Sequence, residues 1–292
     1  LWPCGRSSKQ ALKPKYKYKN CPARLQWLLL RLMQLQANSA NIRAFFEEKV
    51  ATYNRPAFIA DDPICIPHLF TAKADREIAG FFAAIFAWGN RTTIIAKSRE
   101  LMQRMDMQPH QFVLHASAAE LKALEGFKHR TFTPDDLYYF IHFFRKHYRG
   151  HASLETAFSQ WMLPADKTTQ NALSGFRNYF FADEHLPRTR KHISTPLSNS
   201  SCKRLCMYLR WMVRSDGKGV DFGLWKQIQP AQLVCPLDLH VVRVAKRFGM
   251  LQTAQPDWKA ALELTSELRR LDPQDPVKYD FALFSLGIIE KF

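Results

Sequence analysis

Residues 78–88 read I-A-G-F-F-A-A-I-F-A-W. Eleven residues without a charge are too few to span a bilayer and too apolar all round for a surface helix, so they predict a helix at the centre of a core. Asp75 stands near the start of this helix, Gly89-Asn90 turns the chain, and residues 91–105 resume as a basic amphipathic helix. Outward from this pair the same punctuation repeats. "NSANIRAFFEEKVATYN" opens on Ser39 or Asn41 as a cap, and "TPDDLYYFIHFFRKHYRGH" has a proline and two acids at its start and a basic end. "PDWKAALELTSELRRLD" and "DPVKYDFALFSLGIIEKF" each follow a proline. Alternating strand patterns are rare, no repeat is visible, and residues 183–201, rich in Pro and Ser, read as a loop. The expected fold is all-α.

With 292 residues, 47% of them hydrophobic, the chain has material for a large core. Its formal charge of +16 favours a polyanionic partner. Half of that charge sits in residues 1–32, which carry Arg6, Lys9, Lys13, Lys15, Lys17, Lys19, Arg24 and Arg31 and no acid. This stretch reads as a disordered basic extension upstream of a start at Met33, leaving residues 33–292 as a helical domain. The apolar run Leu25–Leu35 is interrupted by Arg31 and has only the outline of a secretory signal; the expected location is cytoplasmic. Six cysteines form no C-x-x-C pair or disulfide framework. Cys202 and Cys206, one helical turn apart, fit a buried pair better than a metal site. No metal or cofactor is called for.

One stretch carries chemistry. Residues 198–214, S-N-S-S-C-K-R-L-C-M-Y-L-R-W-M-V-R, place Lys203 at a helix start after a Ser-rich turn, and residues 236–249, P-L-D-L-H-V-V-R-V-A-K-R-F-G, place Asp238 at the start of another helix, where an aspartate is ordinarily a cap. Together they resemble the helix-hairpin-helix DNA glycosylase superfamily. In that family a hairpin presents a lysine at a helix start, and a [V/P]-D-[T]-H-[V/I]-x-R-[V]-x-x-R-[LF]-G pattern opens the next helix. Asp238, His240, Val241, Arg243, Val244, Arg247, Phe248 and Gly249 match that pattern. The chain looks closest to the archaeal 8-oxoguanine glycosylase branch and to a related uncharacterised bacterial family, DUF2400. Two departures stand out. The family's glycine-rich L-P-G-V-G-x-K-T-A hairpin is replaced by the glycine-free T-P-L-S-N-S-S-C-K-R-L, and Lys203 and Asp238 lie 35 positions apart across an inserted "SDGKGVDFGLW".

The resemblance implies a two-lobed helical fold with a helix-hairpin-helix-type element and a lobe boundary near residues 183–200. It also implies base-excision N-glycosylase activity on damaged duplex DNA, with strand cleavage at the resulting abasic site, and no obligate protein partner. Lys203 would be the nucleophile and Asp238 its electrostatic and acid/base partner; the reaction needs a neutral amine, which a helix N-terminus and the neighbouring Arg204 favour. Asn90 or Arg91 would occupy the wedge position in the duplex. Ser201, Arg204, His240 and Arg243 would contact DNA, with Arg210, Arg214 and Arg247 as phosphate contacts or solvated charges. Trp88, Trp211 and Trp225 are candidate stacking residues or core, and Asp221 reads as a base-edge contact or a loop cap. The alternative from another class is a nucleic-acid-binding protein that keeps this scaffold without catalysis.

Overall fold

The computed structural model describes residues 39–253 and 255–292. The readings for the basic extension, residues 1–32, and for the apolar run Leu25–Leu35 lie outside the described residues. Among the described residues the fold is all-α: there are no strands, only two isolated bridges, His129 to Phe132 and Ser200 to Asp257. No helix among them is long and apolar enough to cross a membrane.

The central helix forms where the apolar run predicts it. This helix, α2 (Lys73–Phe86), follows α1 (Ser39–Tyr53), and every residue from Glu77 to Phe86 is buried. Asp75, in its first turn, accepts the backbone N–H of His110 at 2.9 Å and so ties down α4 (Pro109–His115). After the turn at Gly89, whose φ of 101° suits only glycine, α3 (Arg91–Arg104) begins on an Asn90 cap. The short α5 (Ala118–Leu121) leads to α6 (Pro134–Gly150), then α7 (Glu155–Ser159) and α8 (Gln170–Phe180). Rings from α2, α6 and α8 interlock: Phe81 meets Phe144 and Phe176 edge-on, and Phe82 stacks on Phe140. The Pro- and Ser-rich stretch read as a loop contains two 3-10 turns, Pro187–His192 and Pro196–Ser198.

The rest of the chain supplies α9 (Lys203–Val213), α10 (Leu239–Arg247), α11 (Trp258–Leu271) and α12 (Asp280–Ile288). Helix α9 packs on α2, and α12 lies between α10 and α1. The α2–α9 approach is close at Gly80, where a Cβ would stand 2.7 Å from Met212 Cε and 3.4 Å from the Tyr208 ring.

Two polar hubs hold this apolar frame in register. The buried Glu77 carboxylate accepts from Trp225 Nε1 at 2.7 Å, Tyr148 Oη at 2.9 Å, Leu154 N at 3.0 Å and Ser153 Oγ at 2.5 Å. Removing it would strand four donors in the core. His147 is the second: its Nε2–H donates to the Ser153 carbonyl at 3.0 Å, so its Nδ1 accepts from Tyr179 Oη at 3.2 Å. The ring is therefore held neutral, and burial, reinforced by His151, pushes its pKa down to about 4.

Glu77→Ala is expected to lower unfolding free energy by about 3 kcal/mol or more, measured by urea denaturation, because buried donors lose their acceptor. For His147 the native pKa lies below the unfolded value, so its share of stability is complete above about pH 6.5 and is lost as pH falls toward about 4. That loss amounts to about 3 kcal/mol over the interval. Denaturation midpoints measured between pH 7 and pH 4 should fall, and His147→Gln should flatten the decline.

Candidate active site

Lys203 is the first residue of α9 and is exposed. The chain reaches it through a glycine-free turn that nevertheless uses left-handed backbone twice. Asn199 has φ 54° and Cys202 φ 50°, and both are conformations for which glycine is the easier choice. Asn199 is held there from outside: its Nδ2 donates to Asp257 Oδ2 at 3.0 Å, and its carbonyl accepts Trp258 N at 3.1 Å. The base of α9 is fixed by Arg204, whose guanidinium donates to the Ile85 carbonyl at 2.6 Å and the His192 carbonyl at 3.1 Å.

Asp238 caps α10. Its Oδ1 accepts the backbone N–H of His240 at 2.8 Å and of Val241 at 2.9 Å, while Oδ2 has no hydrogen bond among the described residues. One bond accounts for how a 35-residue separation closes. The buried Ser201 hydroxyl, two residues before Lys203, donates to the carbonyl of Leu237, one residue before Asp238, at 3.1 Å.

Lys203 and Asp238 line one cavity of about 360 Å³, within the range of small-ligand sites. Trp88, Arg91, His240, Phe284, Asp62 and Asp280 also contribute to its wall. The guanidinium of Arg91 lies 5.1 Å from the Phe284 ring, and that of Arg130 lies 4.5 Å from the Trp88 ring. Trp88 is half-buried, and its Nε1 has no partner.

Beneath the cavity sits a buried ionic network. Arg210 donates to Asp280 Oδ2 at 2.5 Å and to Asp221 Oδ1 at 3.3 Å, and Arg214 reaches Asp221 at 2.9 Å, Asp275 at 2.9 Å and Asp216 at 2.7 Å. Burial pushes the Asp280 carboxyl up; Arg210 pulls it back in part, and the carboxylates of Asp238 and Asp221 add to the rise, leaving it at about 6. Burial likewise raises Asp62, against the Ile64 N–H and the guanidiniums of Arg210 and Arg91.

Several sequence expectations need correction. Asp221 neither reads an edge nor caps a loop; its side chain is fully buried between two arginines. Arg210 and Arg214 are that network's cations, not phosphate contacts. Trp225 and Trp211 are core residues, 1% and 0% exposed, so neither is available for stacking. The guanidinium of Arg204 is spent on two carbonyls, and the Ser201 hydroxyl on the Leu237 carbonyl. Arg243 donates to the carbonyls of Gly287 at 2.8 Å and Phe292 at 3.1 Å, closing the end of α12, and Arg247 lies over the Phe292 ring. Asn90 uses its side chain to cap α3, accepting from Thr93 N at 3.1 Å; it is exposed and outside the cavity wall. Cys202 and Cys206, by contrast, are the buried pair that the sequence leads one to expect, free thiols with Cys202 pushed by burial up to about 11.

Two acids of the wall, Asp62 and Asp280, escaped the sequence reading. Asp62 looks like a residue ahead of a proline, and Asp280 like an ordinary first-turn acid on an apolar helix; only tertiary packing distinguishes them from caps.

Comparison with known proteins adds a family but no activity. No curated protein and no solved structure matches the chain. A family model described as a protein of unknown function, DUF2400, matches residues 62–289, more than three-quarters of the sequence and the whole of the cavity wall. The chain belongs to the DUF2400 family.

Proposed function

We propose that this protein is a base-excision DNA N-glycosylase that also cleaves the abasic strand, with Lys203 as nucleophile. The observation that carries the proposal is the meeting of Lys203 and Asp238, distant in sequence, at two helix N-termini on one cavity. Breaking an N-glycosidic bond puts positive charge on the sugar, and a fixed carboxylate oxygen beside it lowers the barrier. The unpartnered Oδ2 of Asp238 is suited to that task because Oδ1 is already immobilised by two N–H groups. The neutral Lys203 amine adds to C1′ as the base departs, and Asp238 takes the proton that the new C–N bond releases. The imine that follows acidifies the C2′ proton, so β-elimination opens the strand.

The glycine-free turn is compatible with this role. When Lys203 is aligned with the lysine of L-P-G-V-G-x-K, the first hairpin glycine falls on Asn199, which adopts the left-handed backbone a glycine would supply. Trp88 at the cavity wall is the remaining candidate for stacking on an extruded base. Arg91 and His240 are the candidates on the wall for backbone phosphates.

Borohydride should trap a covalent complex between the wild-type chain and oligonucleotides from a panel carrying 8-oxoguanine, uracil, alkylated bases or abasic sites. Lys203→Gln should abolish trapping with an unchanged melting temperature; persistence of the adduct removes the lysine from the mechanism. Asp238→Asn should slow single-turnover excision by on the order of 10²-fold or more. DNA binding without trapping by the wild-type chain would instead support the non-catalytic reading.

Binding to undamaged duplex should weaken steeply with salt. The logarithm of the association constant should fall linearly with log salt, with a slope of about −0.9 per phosphate neutralised. Arg91→Ala should reduce that slope by about one unit, read by fluorescence anisotropy.

A further inference from the structure

We propose that Asp280 is the acid that protonates the departing base. The inference rests on the glycosylase reading and adds a third chemical group to the same cavity. Asp280 opens α12 and lines the wall together with Lys203 and Asp238. Its Oδ2 is held by Arg210, while Oδ1 has no hydrogen bond among the described residues. A carboxyl group anchored by one oxygen and free at the other, inside a reaction cavity, is placed to deliver a proton.

The charge balance around it explains why a proton would be there. Two buried guanidiniums, Arg210 and Arg214, serve four carboxylates, Asp280, Asp221, Asp275 and Asp216. Asp238 faces Asp280 from the start of α10, and Asp62 adds another buried carboxyl near Arg210. The thiols of Cys206 on α9 and Cys235 ahead of α10 also lie close, and burial raises both well above their usual range, so they remain neutral. Of the basic side chains on the wall, Lys203 and His240 are exposed, the Arg204 guanidinium is bound to the Ile85 and His192 carbonyls, and that of Arg91 lies against the Phe284 ring. Acid is in excess, and Asp280, buried and beside a second carboxylate, holds its proton to a higher pH than an ordinary aspartate, with its pKa raised to about 6.

The step balances. As the C1′–N bond breaks, its electron pair passes to the base, which takes the proton of Asp280; the carboxylate left behind is stabilised by Arg210. On the sugar side Lys203 forms the new bond to C1′ and yields its proton to Asp238. Two carboxyl groups with different environments thus serve opposite ends of one bond.

The test compares two reactions of the intact protein. Excision of a base from the lesion panel needs a proton on the departing base; borohydride trapping on a preformed abasic site passes through the same imine with water as the leaving group and no base to expel. Asp280→Asn keeps an oxygen for Arg210 and should slow excision about 10²-fold while trapping stays within about threefold. For the wild-type chain, the ratio of excision rate to trapping rate should fall about tenfold per pH unit above about pH 6, where Asp280 ionises. Equal loss of both reactions in the variant, no loss of either, or a ratio flat from pH 6 to 8 would overturn the assignment while leaving the glycosylase reading in place. If the wild-type chain excises none of the panel bases and traps no abasic site, both readings fail.

Discussion

Arg210 is a buried cation, and a guanidinium without compensation inside a protein would be untenable. Its two carboxylate partners come from different parts of the chain, Asp221 from the connection after α9 and Asp280 from the start of α12. Satisfying one charge therefore draws α9, the long connection and α12 to a common point. The cavity forms directly above it. Such a network adds little net stability compared with an apolar core of the same volume, but it admits few alternative arrangements. The Phe281 ring, 4.4 Å from the same guanidinium, completes its enclosure.

The outer half of the site depends on backbone geometry rather than on charge. Cys202 and Asn199 occupy left-handed conformations without the freedom of glycine; hydrogen bonds to Asp257 and Trp258 hold Asn199 from outside, and Cys202 is tied locally to Ser200. The start of α11 is thus part of the machinery that presents Lys203, although none of its residues is on the cavity wall. On the opposite side, the last turn of α2 offers the Ile85 carbonyl to Arg204. The central apolar helix therefore acts both as core and as the anchor against which α9 is set.

How much of this was legible in the sequence follows from the range of the forces involved. The all-α class, the buried helix, which holds over residues 78–86 and stops short of Ala87 and Trp88, and the Asn90 turn were readable because periodicity and capping are local. Lys203 and Asp238 were singled out because their motif is local too, and the structure puts them on one wall. Arginines were where reading failed. Arg210, Arg214, Arg204 and Arg243 look like surface cations in one dimension, yet each is bound to carboxylates or carbonyls from distant segments. Helical spacing cannot separate an arginine facing water from one facing an aspartate 70 residues away. The acid Asp280 was hidden for the same reason, and Trp225 could be assigned to the core only once Glu77 was seen to accept its N–H.

The bond from Ser201 to the Leu237 carbonyl has a consequence for how such a chain can change over time. Because Lys203 and Asp238 are registered across this crossing, the length of the stretch between α9 and α10 does not by itself set their spacing. The part beyond Asp216, residues 217–219, is exposed and carries neither a wall residue nor a member of the ionic network, so changes of length there would leave the cavity wall in place. Connection length is in that sense a poor guide to kinship among proteins of this design, and the position of a hydroxyl two residues before the lysine is a better one.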